Sequence, residues 1–353
     1  MRGSLLSGML EQHNNPINSP FESIFINKIA IIRIGKIGDM IVSHFAIRKI
    51  RSAFPGARIL LVTLPRNKEL LQYSNDVDEV RFFRKGADII PLLIKLRLFS
   101  PDLLIDFNDN PSRTSDLFAR FGGARKSVGF SFGDDQGYYD IRIPCPSRET
   151  THVMERMRKI PEALGLEIQD GEVDTSLEVG KNESDDVKDE FKKVNPEGKP
   201  VIAINLSAGN RNRYWQQSKW MELLHLFESD PMKAVVVLLS APDETHLADD
   251  IISSMGFSWL HRQLDLRFHH FASTIAQSSL LISPDTSSIH IADAFRVPVI
   301  GLYPQVQWNA VSWRPYRTEC EIVMPEAGFI AEISVEEVWQ AFLRLRQRVR
   351  SLA

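Results

Sequence analysis

The chain has 353 residues, of which 43% are hydrophobic and 25% are charged, a composition typical of a globular protein. Its net charge of −3 and its pI of about 6.3 argue against a nucleic-acid partner, because proteins of that class carry a basic excess. The length predicts two domains, since domains usually span roughly 100–200 residues.

The N-terminal 27 residues do not read as a signal peptide, because Gly, Asn, His and Pro interrupt their apolar positions. We expect residues 1–27 to form a poorly ordered or loosely docked extension. No run approaches the roughly 18 apolar residues of a membrane-spanning helix. Cys145 and Cys320 are far apart and predict two unpaired thiols. The sequence therefore predicts a cytoplasmic protein, and it leaves open the oligomeric state and a peripheral contact with the inner membrane.

Strands alternate with helices in the first half of the chain. Apolar strands are predicted at residues 28–34, 57–63, 80–83 and 103–107, with helices beginning near residue 38 and spanning 92–98. Continuous apolar strands that are each followed by a helix are typical of a parallel α/β sheet covered on both faces.

The same alternation restarts after the polar stretch 181–199, which contains one amphipathic helix. Further strands are predicted at 200–206, 234–239, near 259, 280–283 and 297–303, with helices near 218–229, 243–255, 270–278 and from 287. A capping box of Ser334 and Glu337 predicts a C-terminal helix. We therefore expect two Rossmann-like α/β domains, at 28–180 and 181–353, that face a cleft.

The first candidate site is the loop between the first strand and its helix. It contains Gly35, Lys36, Gly38 and Asp39, and glycines let a backbone approach a ligand closely. Asp39 either caps the helix or acts as a general base. A nicotinamide-binding domain is disfavoured, because the third glycine of the fingerprint and an acidic residue after the second strand are both missing.

The second candidate site follows the strand that ends near residue 283. Asp285, Thr286, Ser287 and Ser288 lead into a helix, and His290 falls one turn further on. Free N–H groups and hydroxyls at a helix N-terminus bind anions without a metal, and a pyrophosphate is the natural occupant. An ordinary polar cap beside a packed histidine is the alternative.

Two further loops lie at predicted strand ends of the second half. Ser207, Arg211 and Arg213 follow the strand at 200–206, and arginine suits phosphate because its planar fork donates two hydrogen bonds. Asp243 and Glu244 either recognise a ribose or a base or complement a helix dipole. Alternatively, Arg211 and Arg213 are solvated loop residues that bind no ligand.

The sequence contains no motif for binding a metal or a cofactor. The histidines lack metal-ligand spacing with carboxylates, and the Walker A, H-E-x-x-H and G-x-S-x-G patterns are absent. We expect neither a metal nor a cofactor.

Three motifs together resemble glycosyltransferase family 9, the ADP-heptose:lipopolysaccharide heptosyltransferases. They are Ile-Gly-Lys-Ile-Gly-Asp39, the loop around Trp215, and Ser-Pro-Asp285-Thr-Ser-Ser-Ile-His290 followed by Gly-Leu-Tyr-Pro304. The similarity extends from Lys28 to the final helix. It implies a GT-B fold, with an acceptor in the N-terminal domain and a nucleotide-sugar donor in the C-terminal domain.

The resemblance also implies an inverting, metal-independent transfer of heptose from ADP-heptose to the lipopolysaccharide core. The family's base falls on Asp39, and its donor-binding motif falls on Asp285, Thr286 and His290.

Two positions depart from the family pattern. Arg213 stands near the place of a phosphate-contacting lysine, and Ser287 stands where the family usually has glycine. Both departures bear on the donor.

Alternatives in other functional classes stay open. They are a transferase for another nucleotide sugar and glycan acceptor, a catalytically silent nucleotide-sugar-binding protein, and the disfavoured nucleotide-dependent oxidoreductase. The expected acceptor loops, 108–116 and 129–139, do not reveal the acceptor.

Overall fold

The computed structural model describes residues 25–84, 86–133, 138–306, 308–349 and 352. Residues 1–24 of the predicted extension and residues 134–137 of the second predicted acceptor loop lie outside this part of the chain. The described residues form two six-stranded sheets, and all neighbouring strands within each sheet are parallel.

The first sheet has the strand order β3-β2-β1-β4-β5-β6. Its strands are β1 Lys28–Arg33, β2 Arg58–Thr63, β3 Glu79–Phe82, β4 Leu103–Asp106, β5 Lys126–Ser131 and β6 Ile141–Pro144. The helices are α1 Ile37–Ile41, α2 His44–Ala53, α3 Ile89–Phe99, α4 Arg113–Phe121 and α5 Val153–Ala163.

The second sheet repeats this topology, with the order β12-β11-β10-β7-β8-β9. Its strands are β7 Val201–Asn205, β8 Val235–Leu239, β9 Leu260–Arg262, β10 Leu280–Pro284, β11 Val299–Leu302 and β12 Cys320–Val323. The helices are α6 Lys181–Val194, α7 Gln217–Ser229, α8 Thr245–Met255, α9 Phe268–Ala276, α10 Ser287–Ala294, α11 Asn309–Trp313 and α12 Val335–Arg348.

Each sheet therefore has the doubly wound order 3-2-1-4-5-6 of a Rossmann fold. The central strands are buried on both faces, and Ile29 to Ile32 of β1 are 0% exposed. That burial explains why these strands read as continuous apolar runs instead of alternating ones. One apolar core is continuous from Ile31 and Met40 beside the first sheet to Ile289 and Val299 beside the second.

The predicted α/β architecture is confirmed, with element ends shifted by a few residues. The predicted helix from residue 38 is wrong in extent, because the chain forms two helices, α1 and α2, that meet around Val42 and Ser43. The sequence analysis also did not predict α4, α5, α11, β5, β6 or β12.

The two predicted acceptor loops are partly regular structure, so both ranges need correction. Residues 113–116 form the first turn of α4, which begins where Ser112 Oγ accepts a hydrogen bond from Ser115 N over 3.2 Å. Residues 129–131 complete β5.

The C-terminal helix begins at the predicted capping box. Ser334 Oγ accepts a hydrogen bond from Glu337 N, and Glu337 Oε2 accepts one from Ser334 N over 2.7 Å. Phe342 of α12 packs against Phe227 of α7, with ring centroids 5.0 Å apart. Both cysteines are unpaired, as predicted. Among the described residues, none of the helices combines the length and the apolar character needed to cross a bilayer.

Candidate functional site

The two candidate loops meet directly. A Cβ atom added to Gly38 would lie 3.0 Å from His290 Cδ2 and 3.8 Å from Ser287 Cα. Helix α1 therefore lies against the first turn of α10, and a side chain at residue 38 would fit only if His290 moved by a few tenths of an ångström. Ligands of doubly wound sheets bind at the carboxyl ends of strands where the strand order reverses. Here both such crevices, after β1/β4 and after β7/β10, open on one cleft.

Asp39 is held by its own loop. Its Oδ2 atom accepts a hydrogen bond from Lys36 N over 2.7 Å, and its Oδ1 atom lies 3.4 Å from Arg33 Nη2. A Cβ atom on Gly35 would lie 2.5 Å from Asp39 Cβ, so only glycine permits this turn. The side chain of Asp39 is 22% exposed. The carboxylate thus caps α1 and still reaches solvent at the cleft.

A network of buried charged side chains supports Asp39. Arg33 Nη1 pairs with Asp109 Oδ1 at 3.2 Å, and Asp109 Oδ2 accepts hydrogen bonds from Arg156 Nε and Nη2 over 3.2 and 2.9 Å. All three residues are at most 2% exposed. Burial alone would raise the pKa of Asp109, but the guanidinium groups of Arg33, Arg156 and Arg148 hold that pKa below its ordinary value.

The same network of side chains extends to the second half of the protein. Arg156 Nη1 donates to Ser312 Oγ of α11 over 2.9 Å. From the same helix, Asn309 Nδ2 donates to Asp285 Oδ2 over 2.6 Å. Polar contacts through α11 therefore link the Asp39 loop to the Asp285 loop. The sequence analysis missed Asp109, Arg156, Asn309 and Ser312.

The loop after β10 holds a neutral cluster instead. Asn205 Nδ2 lies 3.1 Å from Ser283 Oγ, 3.2 Å from Thr286 Oγ1 and 3.3 Å from Ser288 Oγ. Ser288 Oγ lies 2.7 Å from Thr286 Oγ1 and 2.6 Å from Ser283 Oγ. Ser288 is 1% exposed, whereas Thr286 and Ser287 are half-buried at the start of α10. The Ser288 hydroxyl therefore supports the loop from inside, and Thr286 and Ser287 border the cleft.

Arg213 and Asp285 form one unit. Arg213 Nη1 donates to the backbone oxygen of Asp285 over 2.9 Å and lies 3.1 Å from Asp285 Oδ2. The Arg213 side chain is 34% exposed, while that of Asp285 is 7% exposed. Through these contacts Asp285 orients the loop. Arg211, two residues before Arg213, is exposed.

His290 lies between the two loops and is 4% exposed. Burial lowers its pKa, although the carboxylates of Asp293, Asp285 and Asp39 act in the opposite direction. Its ring packs edge-on against Trp313, with centroids 5.6 Å apart. A neutral imidazole can both donate and accept a hydrogen bond in the cleft.

The remaining sequence candidates lie along the β7 and β8 ends. Ser207 Oγ accepts a hydrogen bond from Ala241 N over 2.7 Å and joins the two strand ends. Asp243 is exposed, and Glu244 accepts a hydrogen bond from the Tyr214 hydroxyl. Burial and this contact raise the pKa of Tyr214 to about 12. Trp215 is a core residue, with Nε1 donating to Ile333 O over 2.8 Å.

A small polar pocket opens at the carboxyl ends of β4 and β5, which is the same edge of the first sheet at which Asp39 lies. Asp106, Asn108, Ser112, Phe130 and Tyr139 contribute to its lining. The Tyr139 hydroxyl donates to Asp106 Oδ2 over 2.5 Å. Burial raises the pKa of Asp106, although its hydrogen bonds oppose that shift. Apart from Asp106, these lining residues lie within the two predicted acceptor loops, 108–116 and 129–139.

No group of three or more His, Cys, Asp or Glu side chains within the described part of the chain is arranged to hold a metal ion.

Two Rossmann-like domains of identical strand order, with a carboxylate loop facing a hydroxyl-lined helix start across one cleft, define a GT-B glycosyltransferase architecture. A family model, Glycosyltransferase family 9 (heptosyltransferase), matches residues 94–337. The chain therefore belongs to glycosyltransferase family 9 and is a glycosyltransferase, as the resemblance implied.

Individual relatives agree with this assignment. Lipopolysaccharide heptosyltransferase 3 of Escherichia coli K12 is 21% identical over 299 residues, which are 79% of this chain and 82% of that protein. The fold is similar to that of a family 9 glycosyltransferase from Veillonella parvula (TM-score 0.74, 17% identity, 90% of this chain and 97% of that one). It is also similar to E. coli heptosyltransferase WaaC with ADP-2-deoxy-2-fluoro heptose (TM-score 0.69, 16% identity, 90% and 99% coverage).

Proposed function

We propose that this chain is an inverting, metal-independent heptosyltransferase that transfers heptose from ADP-heptose to a lipopolysaccharide core acceptor. The observation that carries the proposal is the contact between the Asp39 loop and the start of α10 around Gly38, His290 and Ser287. It supports a cleft in which a base faces an anion-binding helix terminus. Membership of the heptosyltransferase family supports the sugar.

Asp39 acts as the general base in this proposal. An acceptor hydroxyl attacks the anomeric carbon of the donor sugar and forms a new C–O bond as its proton passes to the Asp39 carboxylate. The bond from that carbon to the diphosphate breaks, and ADP leaves with the electron pair. Attack from the side opposite to the leaving group inverts the anomeric configuration. General-base catalysis of this kind contributes roughly 10²–10⁴ in rate.

The position of Asp39 supports this assignment. Its carboxylate is anchored by Lys36 N and by Arg33, and it remains 22% exposed. Arg33 is itself held by Asp109, so the base is preoriented by groups whose own positions are fixed. Such a second layer of support limits the loss of alignment that weakens loosely held catalytic groups.

The leaving diphosphate is stabilised by α10 and Arg213. The N-terminal N–H groups of a helix point at an anion placed there, and the helix dipole favours its negative charge. Arg213 adds a partly exposed guanidinium whose position is fixed by Asp285. Fixed donors aimed at developing charge supply much of the catalytic effect in many enzymes. Burial lowers the pKa of His290 and so favours its uncharged form. In this proposal His290 contacts the donor between the two loops.

The acceptor binds on the first-domain side in this proposal, beside the pocket at Asp106 and Tyr139. That pocket lies at carboxyl strand ends next to β1, and its hydroxyl, amide and carboxyl groups are those that recognise sugar hydroxyls. The domain limits proposed for this division of labour are residues 28–180 and 181–353.

The test is a transfer assay with the full chain, ADP-heptose and a heptose-free lipopolysaccharide core. We expect release of ADP, one added heptose per acceptor by mass, and an anomeric configuration opposite to that of the donor by NMR. The turnover number should be unchanged in excess EDTA.

Parallel reactions with UDP- and GDP-sugars are the controls. Turnover with one of these and none with ADP-heptose would assign another donor. Binding of ADP without transfer to any core acceptor would favour a catalytically silent binding protein. Loss of turnover in EDTA would contradict metal independence.

A further inference from the structure

Helix α3 is apolar on both of its faces. Leu92 and Leu96 are at most 5% exposed and cover the first sheet. On the opposite side Ile90, Ile94 and Leu98 are 69%, 55% and 78% exposed. Their spacing of four residues places them on one helix face. A helix on the surface of a globular protein normally presents polar side chains to solvent, so this face, the α3 stripe, is unusual.

Two exposed aromatic side chains, one of them on α4, lie near the α3 stripe. Arg97 Nε donates to the backbone oxygen of Phe121 over 2.8 Å, which fixes the end of α4 beside α3. The Arg120 guanidinium lies 5.0 Å from the ring centroid of Phe121 and 4.9 Å from that of Tyr138. Phe121 and Tyr138 are 38% and 54% exposed. Phe121 therefore lies beside α3, and the Arg120 guanidinium lies against both exposed aromatic rings.

The charge of these two helices is opposite to that of the protein. Lys95 and Arg97 on α3 and Arg113 and Arg120 on α4 are exposed, and the sequences of both helices contain one carboxylate, that of Asp116. The whole chain has a net charge of −3. A cationic excess on an acidic protein, interleaved with exposed aliphatic side chains, complements a surface that is both anionic and apolar.

We propose that the α3 stripe docks on a lipid bilayer with anionic headgroups. Helix α3 has 11 residues, too few to span a bilayer, so it lies in the plane of the interface. Ile90, Ile94 and Leu98 enter the boundary between headgroups and acyl chains, and the cations contact lipid phosphates. Interfacial amphipathic helices bind by this combination of apolar burial and attraction to anionic lipid.

A second copy of this chain is a poorer occupant. A standard protein–protein interface takes about 20–30 residues from each partner, far more than the three aliphatic, two aromatic and four cationic side chains of this surface. The docking does not depend on the transfer reaction proposed above, so failure of either leaves the other standing.

Co-sedimentation of the full chain with vesicles tests the proposal. We expect binding to vesicles that contain phosphatidylglycerol, weaker binding to pure phosphatidylcholine, and loss of binding as salt screens the attraction. The Ile94→Gln/Leu98→Gln variant should lower the partition coefficient at least about tenfold, with an unchanged thermal midpoint. Leu264→Gln, which replaces a 65% exposed leucine of the second half, should bind as the wild type does.

The proposal is overturned if the wild type does not sediment with anionic vesicles, or if the double glutamine variant binds equally well.

A fluorescent probe separates the bilayer from other occupants. An environment-sensitive dye on Leu98→Cys should shift its emission to the blue only when anionic vesicles are added, and the same dye on Leu264→Cys should not respond. A blue-shifted signal on Leu98→Cys before any vesicle is present would show that a second copy or another segment of the chain covers the stripe, which would overturn the proposal.

Discussion

The two sheets have the same strand order but carry different chemistry at the same topological position. After β1 and β4, the first sheet presents Asp39, Arg33 and Asp109, which are linked as alternating charges. After β7 and β10, the second sheet presents Asn205, Thr286 and Ser288, which are linked as neutral hydrogen-bonding groups. The shared topology places both sets at one cleft.

In the proposed mechanism, this difference lets one fold serve two tasks. A catalytic carboxylate needs a fixed position, and the buried Arg33 guanidinium lies 3.4 Å from Asp39 Oδ1. In the same proposal an incoming diphosphate brings its own negative charge, which amide and hydroxyl donors receive, while the Asp285 carboxylate of that loop is paired with Arg213. The scaffold provides the position, and the residues at the strand ends provide the function.

Asp39→Asn is the most severe test of the contrast between the two loops. If the first loop supplies only the base, the turnover number should fall about 10²–10⁴-fold. The dissociation constant of ADP should stay the same, because the donor loop belongs to the other sheet. Steady-state kinetics and isothermal titration calorimetry check the two halves of this statement. Asp185→Asn, at an exposed carboxylate on α6, is the matched control, and unchanged turnover in Asp39→Asn would remove Asp39 from the mechanism.

Asp109→Asn tests whether the first loop depends on buried charge. The change leaves Arg156 buried without its counter-charge and leaves Arg33 with the Asp39 carboxylate alone, so the free energy of unfolding should fall by about 3–5 kcal/mol. Urea denaturation measures it. In the neutral cluster, Ser288→Ala should cost about 0.5–1.5 kcal/mol, the net value of a typical hydrogen bond.

Two results would contradict this contrast. Equal losses in Asp109→Asn and Ser288→Ala would mean that the two loops are not energetically different. Asp189→Asn breaks an exposed pair with Lys192 and should leave the urea midpoint almost unchanged, so a large shift there would point to a general effect of charge.

Arg213→Gln tests whether the second loop binds the phosphates of the donor. Hydrogen bonds to charged groups contribute about 1.5–3 kcal/mol, so the affinity for ADP should fall roughly tenfold to a hundredfold. Adenosine, which lacks phosphate, should bind equally well to both proteins. Arg262→Gln, at an exposed arginine paired with Asp249, should retain the wild-type affinity for ADP. An equal loss for ADP and adenosine would place Arg213 away from the phosphates.

The last prediction concerns His152, which joins the two halves. Its Nε2 atom donates to Arg314 O over 2.8 Å, and its Nδ1 atom accepts from Met154 N over 3.1 Å, so the folded protein holds the neutral ring. Burial lowers its pKa to about 4 from the ordinary value of 6.5. The unfolded chain therefore binds the proton first as the pH falls, and stability decreases between pH 6.5 and pH 4.

Urea unfolding at several pH values measures this slope. In His152→Gln the decrease between pH 6.5 and pH 4 should be shallower than in the wild type. An identical slope would show that His152 does not titrate in this window.

The sequence predicts local features well and distant ones poorly. The strand before Asp39 and the strand before Asp285 are recognisable because their apolar runs end in polar loops. Asn205 was not recognised as part of the second loop, since it lies 81 residues from Thr286 and the last position of an apolar strand gives no pairing information. Asp109 and Arg156 have the same difficulty.

Short elements were missed for a related reason. Helix α11 has five residues, too few to show a helical period, yet it carries Asn309 and Ser312, which connect the two loops. The polar run from Asp106 to Asp109 at the end of β4 was the available signal for the buried charges, because polar residues after a buried strand border a ligand crevice.

A crystal structure of the protein with ADP tests the central claim most directly. The account predicts that the terminal phosphate lies within hydrogen-bonding distance of the Arg213 guanidinium and of the Thr286–Ser287 turn, with the Asp39 carboxylate facing it across the same cleft. A diphosphate bound elsewhere, or one separated from Asp39 by closed protein surface, would contradict the account.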